Sequence, residues 1–375
     1  MWLLYLVAFI PIIIGGILWI ARKEIVILEW VIGSVIALIT AAIFHVCIIQ
    51  GMTGDDETWS GYTYKTIYYP KWVEKYHETH RVTDSKGKVI RTYTDTHYRT
   101  HGPEWEAYHN FGTNERTIDI SQQRYEEIKK DFGNKVEIDK PGKSGFYSGD
   151  PNVYTVNNKT NKMLPVTRWM SFENRVKAAP SVFSYQKVTD KTPVFDYPKN
   201  TDYDHSDRLL GDAKRIVNLY QWDCMNTRLG PTKKVNVILV GFKPNSDSFL
   251  ANLQEAKWVG GKKNDLVICY SPDNSGKPLW TRVFGWTEEE LVKRNLETLL
   301  LKNINAIDLI PQIEQEIIKN YKIKDWKKFD YITLEPPIWA YIVLLVVIMV
   351  TQGGYYVFVS INDFNKEGRK SRWRC

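Results

Sequence analysis

Three apolar runs interrupt an otherwise polar chain, at positions 2–21, 31–51 and 338–361, and none contains Asp, Glu, Lys or Arg. A helix rises 1.5 Å per residue, so about 20 such residues cross the hydrocarbon core of a bilayer. The pattern predicts three transmembrane helices framing a large soluble region. The first run starts at Trp2 without a basic segment before it and without a small-residue cleavage pattern before Arg22, so it reads as a retained anchor.

Between the second and third runs the periodicity changes twice. Residues 59–69 and 89–94 are rich in Thr, Tyr, Ile and Val, and Asp-Ser-Lys-Gly at 84–87 supplies turn residues between Val82 and Val89, which predicts a hairpin. A helix is expected from Ser121, with Tyr125, Ile128 and Phe132 at helical spacing and Gly133 to end it. Residues 134–207 are loop-heavy, with short strand candidates at 152–156 and 182–188, and read as an irregular connection. From Asp212 the order becomes regular. A helix through Ile216, Leu219, Tyr220 and Met225 ends at Gly230-Pro231, and an apolar strand at 235–240 has the composition of one buried on both faces. A helix through Phe249 and Leu253 follows, then strands at 265–270 and 280–284. Thr287 with Glu290 forms a capping box before Leu291, Leu296 and Leu300, and Asp308 caps a last helix through Ile310, Ile313 and Ile317.

The fold class expected is therefore α/β (α+β) behind three spans. The division runs as two spans within 1–51, a β-rich, loop-heavy region at 52–211, an α/β layer domain at 212–337, a span at 338–361 and a basic tail at 362–375. The segment Val-Asn-Val-Ile-Leu-Val-Gly at 235–241, the stretch Ala-Lys-Trp-Val-Gly-Gly-Lys-Lys-Asn-Asp-Leu-Val-Ile at 256–268, and Val-Phe-Gly-Trp at 283–286 resemble the TPM domain family over roughly residues 212–321. The resemblance implies an extracytoplasmic domain tethered by a membrane span, with acid-phosphatase activity or an accessory role beside a membrane complex. Many members carry Asp-Asn-Gly before the second strand, where this chain has Lys263, Asn264 and Asp265. The N-terminal half, with Trp-Ser-Gly-Tyr at 59–62 and Tyr-Tyr-Pro-Lys-Trp at 68–72, is similar to uncharacterised membrane proteins of tailed bacteriophages and bacteria.

Charge adds an orientation. The chain has 375 residues, a net charge of +7 and a mean hydropathy of −0.35. Arg22 and Lys23 lie between the first two spans, and Lys366, Arg369, Lys370, Arg372 and Arg374 lie beyond the third. The positive-inside rule places both in the cytoplasm and the large domain outside. Lys319, Lys322, Lys324, Lys327 and Lys328 oppose this, but long translocated domains weigh less in that rule. Both signs of charge are mixed along the domain, which excludes a concentrated nucleic-acid footprint. The expected partners are the bilayer and a membrane or envelope protein. Of four cysteines, Cys47 is intramembrane and Cys375 terminal, and Cys224 and Cys269 are expected to be free because Cys269 lies in a core strand.

Candidate chemistry is sparse. His77, His80, His97, His101 and His109 cluster on or beside the predicted hairpin, and imidazoles sharing one strand face are potential zinc ligands. His97 and His101 share a face, only one of His77 and His80 joins them, and Asp95 and Glu78 complete a mixed donor set. The segment Asp-Tyr-Asp-His-Ser at 202–206 starts like a calcium loop, but Asp207 replaces the Gly of the turn and Ala213 the chelating twelfth residue. Gly-Gly-Lys-Lys at 260–263 offers N–H groups to an anion without P-loop spacing. No nucleophile elbow is present. Two function classes remain. One is an envelope-anchored interaction module; the other is a metal-assisted phosphatase using zinc or calcium, with Asp265, Asp273 and Glu288 as the acids implied by the family resemblance.

Overall fold

The computed structural model describes residues 2–17, 27–112, 115–139, 152–179, 188–199, 207–303 and 308–362. Its elements, in chain order, are α1 (Trp2–Ile17), α2 (Ile27–Thr53), β1 (Gly54–Tyr69), β2 (Trp72–Thr83), β3 (Val89–His101), β4 (Glu104–Asn110), β5 (Glu115–Asp119), α3 (Gln122–Asp131), β6 (Val136–Asp139), β7 (Val153–Asn157), β8 (Leu164–Glu173), α4 (Arg175–Ala178), β9 (Leu209–Gly211), α5 (Leu219–Lys233), β10 (Asn236–Gly241), α6 (Phe249–Lys257), β11 (Asp265–Pro272), β12 (Pro278–Gly285), α7 (Leu291–Asn303), α8 (Leu309–Asn320) and α9 (Ile338–Asn362). The chain divides into two compact units. One comprises residues 1–56, 171–185 and 325–375, the other residues 57–170 and 186–324.

In the first unit α1, α2 and α9 pack on a shared seam of Ala37, Ala41, Leu344 and Ile348, with Ile12, Phe44 and Tyr341 against it. Small residues on α2 let the helices approach closely, so polar groups of one helix reach the backbone of another. Trp30 donates to the Ile12 carbonyl (3.0 Å), Gln352 to that of Gly33 (2.6 Å) and Tyr355 to that of Glu29 (3.0 Å). The outward faces are apolar, with Ile32, Ile39, Ile43, Ile342, Val346 and Val350 exposed. Among the described residues two helices, not three, are long and apolar enough to cross a membrane, Ile27–Thr53 and Ile338–Val359. The predicted first span is represented by the 16 residues of α1, about 24 Å at 1.5 Å per residue and short of a bilayer core; its remainder lies outside the described residues. At the end of α2, Asn174 donates through its side chain to buried Asp55 (2.8 Å) and through its N–H to the Thr53 carbonyl (2.6 Å), while its own side-chain oxygen caps α4.

Among the described residues the second unit contains three sheets. A six-stranded sheet runs β5-β4-β1-β7-β6 with β8 also pairing β1, a four-stranded sheet runs β12-β11-β10-β9, and β2 and β3 form a two-stranded ribbon. Tyr125, Ile128 and Phe132, spaced as predicted, bury one face of α3 against Ala107 and Val156 of the first sheet. Ser121 caps that helix by accepting from the Arg124 N–H (3.1 Å). The strand expected at 152–156 is β7, and the region read as an irregular connection also supplies β6 and β8, with Val136, Val156 and Leu164 contributing to this core; the candidate at 182–188 lies almost wholly outside the described residues.

β10 is buried along its whole length, as its apolar composition required, and pairs in parallel with β9 and β11. Val237, Leu239, Leu266 and Ile268 face Trp222, Met225, Leu296 and Ile313 from α5, α7 and α8, while Ile238, Val240, Val267 and Cys269 face α6 and Phe195. Helices on both faces of a largely parallel sheet explain the near-continuous apolar run. β9 and Phe195 belong to this layer, so its start lies before the expected boundary at 212. Cys224 and Cys269 are buried free thiols. Two helix ends differ from expectation. α5 continues through Pro231 until left-handed Lys234 donates to the Gly230 carbonyl (2.9 Å). α7 starts at Leu291, three residues beyond the expected position, although the Thr287 hydroxyl accepts from the Glu289 N–H (3.2 Å) while donating to the Lys322 carbonyl (3.0 Å).

The two larger sheets are joined by polar groups. Arg208, with 1% of its side chain exposed, donates to Ser60 (2.7 Å), Asn236 (2.7 Å) and Asp223 (3.0 Å). Asn264 donates to the Thr58 carbonyl (2.7 Å). Replacing one partner of a buried ion pair strands the other charge, at a cost of about 3–5 kcal/mol. Asp223→Ala is accordingly expected to destabilise the protein by about that amount in chemical denaturation. A change below about 1 kcal/mol would show that the guanidinium finds other compensation.

Candidate functional site

The ribbon is built by alternation. In the segment 72–80, Trp72, Glu74, Tyr76, Glu78 and His80 recur every second residue, which places them on one face of a strand. The turn fixes the register: the Asp84 carboxylate accepts from the N–H groups of Lys86 and Lys88 (2.9 Å each), and Gly87 takes φ +81°. Trp72 then pairs with His101, Glu74 with Arg99, Tyr76 with His97, Glu78 with Asp95 and His80 with Tyr93.

The result is a ladder in which stacked rings alternate with charged pairs. His101 stacks on Trp72 (4.4 Å between centroids), His97 on Tyr76 (5.4 Å) and His80 on Tyr93 (5.1 Å). His101 Nε2 lies 2.8 Å from Glu74 Oε2, and His97 Nε2 3.6 Å from Glu78 Oε2. His80 Nε2 is 3.6 Å from Asp95 Oδ2 and 4.0 Å from Glu78 Oε2. One ligand atom each from Glu78, His80 and His97 lies within 4.8 Å of the others, close enough to hold a metal ion.

Of the histidines expected to share a face, the register brings His80, and not His77, beside His97. His77 is on the opposite face with its Nδ1 3.1 Å from the Thr96 hydroxyl. His101 is on the same face but engaged by Glu74 and Trp72. His109 lies apart in β4, buried, with its Nδ1 2.9 Å from the Thr63 hydroxyl. The calcium-like segment at 202–206 lies outside the described residues. The stacking partners Tyr76 and Tyr93 were not singled out from sequence, although the two-residue period through 72–80 already placed Tyr76 on the face of His80.

The three acids of the phosphatase reading do not converge. Asp265 and Asp273 bracket β11, about 26 Å apart at ~3.3 Å per residue. Asp273 is a half-buried turn residue whose carboxylate accepts from the N–H groups of Ser275 (2.8 Å) and Lys277 (2.9 Å). Glu288 is half-buried beyond β12, its N–H donating to the Lys322 carbonyl (2.9 Å). Asp265 is fully buried, and burial pushes its carboxyl above the usual range against hydrogen bonds from Asn236 (2.8 Å), the Lys262 N–H (2.8 Å) and Tyr197 (2.9 Å). The Gly-Gly-Lys-Lys turn, with Gly260 and Gly261 both at positive φ, therefore closes on the chain's own carboxylate. Near it, burial also raises the Glu57 carboxyl, which accepts from the Trp59 indole N–H (2.9 Å).

No family model, curated protein or solved structure matches the chain.

Burial, with Arg124 nearby, lowers His109 from 6.5 to about 4. Between those values the unfolded chain binds the proton and the folded one does not. The stability this contributes is therefore present above pH 6.5 and is lost as pH falls through about 4, by about 3 kcal/mol at most. Chemical denaturation at pH 7 and pH 4.5 should show that His109→Gln removes most of this acid sensitivity. Equal pH dependence in both proteins would contradict a buried neutral imidazole.

Proposed function

We propose that this is an integral membrane protein whose extracytoplasmic region binds a membrane or envelope partner through the β2–β3 ribbon. The observation that carries the reading is the ribbon itself. Its strands, of 12 and 13 residues, pair only with each other among the described residues, and both faces are open to solvent. An isolated two-stranded ribbon is marginal in water. This one exposes Val73, Tyr76, Val82, Val89, Ile90, Tyr93 and Tyr98, with Ile90 at 67% and Tyr98 at 69% exposure. Exposed aromatic and aliphatic side chains, here spread over both faces of the ribbon, are what recognition surfaces use. The apolar outer faces of α2 and α9 support insertion in the bilayer, and α1, packed on both, serves as the third membrane segment.

Phosphomonoester hydrolysis of the TPM type would need a converging acidic site, which Asp265, Asp273 and Glu288 do not make. Phosphate release by the intact protein with magnesium, manganese, calcium or zinc, abolished in a folded Asp265→Asn variant, would restore that alternative.

Replacing residues 72–101 with a two-residue turn tests the binding reading. The thermal midpoint of the remainder should stay within a few degrees while the membrane complex formed by the full chain is lost. A complex that survives the deletion would overturn the reading. Reporter fusions test the orientation separately: one after Gly51 is expected to report outside and one at Cys375 the cytoplasm. The reverse pattern would place the ribbon in the cytoplasm.

A further inference from the structure

We propose that Glu78, His80 and His97, completed by Asp95, form a zinc site that clips the two strands of the ribbon together. The proposal goes beyond partner binding and stands whether or not the ribbon meets a partner. Its first support is the donor geometry. Tetrahedral zinc with ligands at about 2.0–2.1 Å holds its donor atoms about 3.3 Å apart. The donor atoms of Glu78, His80 and His97 lie within 4.8 Å of one another, with Glu78 Oε2 3.6 Å from His97 Nε2 and 4.0 Å from His80 Nε2, while Asp95 approaches from the His80 side, its Oδ2 3.6 Å from His80 Nε2, and has to swing in to complete the set.

A second support is electrostatic. Glu78 and Asp95 are direct cross-strand partners on an exposed face, and like charges in that position repel. An ion held between them converts the repulsion into ligation. A third is an atom without a partner: His97 Nε2 is enclosed yet makes no hydrogen bond, although it points at the Glu78 carboxylate. Tyr76 and Tyr93 stack on the two imidazoles and restrict their rotation. Two imidazole nitrogens with two carboxylates suit zinc, whereas calcium and magnesium prefer oxygen donors alone.

Zinc chloride titrated calorimetrically into the full-length protein in detergent tests the site. One site is expected that weakens at least tenfold in His80→Ala and in His97→Ala and is unchanged in His77→Ala, whose side chain is on the opposite face. Cobalt should give the visible absorption of a tetrahedral site in the natural protein and not in His97→Ala. Zinc should also protect His80 and His97, but not His77, from diethylpyrocarbonate in the natural protein, a readout that needs no variant to fold. Zinc affinity indifferent to both His80 and His97, or equal modification of the three histidines with and without zinc, would overturn the proposal.

Discussion

Arg208 holds its guanidinium out of water against Asp223, Asn236 and Ser60, and the second unit is organised around that buried cation. Ser60 belongs to β1 and Asn236 to β10, so the pairing joins the six-stranded sheet to the four-stranded one. Asn236 passes the connection on to Asp265, and Tyr197 and the Lys262 N–H close around the same carboxylate. A buried charge is costly unless every partner is in place, so the arrangement specifies one way for the two sheets to meet. It also explains why the acid most suspected of catalysis is occupied. Asp265 spends its lone pairs on the fold.

The same unit leaves one element open. The ribbon continues from β1 through Pro70 and Lys71 and returns to β4, both of them strands of the larger sheet, so its base is fixed at both ends. Between those ends, stacked rings and cross-strand ion pairs replace a core. Such pairs contribute about 0.2–1 kcal/mol each, enough to keep register but little more. A surface that is ordered at its base and marginal along its length gains most from a bound ion or partner.

Much of this was legible in the sequence where one physical signal dominated. The near-continuous apolar run of β10 has the composition of a strand covered on both sides, and Ser121 with Tyr125 and Ile128 specified a capped amphipathic helix. The hairpin was legible from Asp84 and Gly87, whereas its register, which chooses His80 over His77, came only with the folded turn. Other features depended on distant partners. β7 is a short strand with polar neighbours, stabilised by β1 and β6 on either side, a pairing no local window reveals. Thr287 accepts the Glu289 N–H locally, but its hydroxyl also donates to the Lys322 carbonyl, 35 residues away. Arg208 carries no local mark of burial at all, since its three partners come from β1, α5 and β10.

The central claim is that the β2–β3 ribbon is the surface on which a partner docks. Site-specific photo-crosslinking in native membranes addresses it most directly, with a photoreactive residue replacing Tyr98 on the ribbon or, as a control, Lys130 at the exposed face of α3. The account predicts a discrete adduct from position 98 and none of that size from position 130. No adduct from position 98, or the same adducts from both positions, would contradict it.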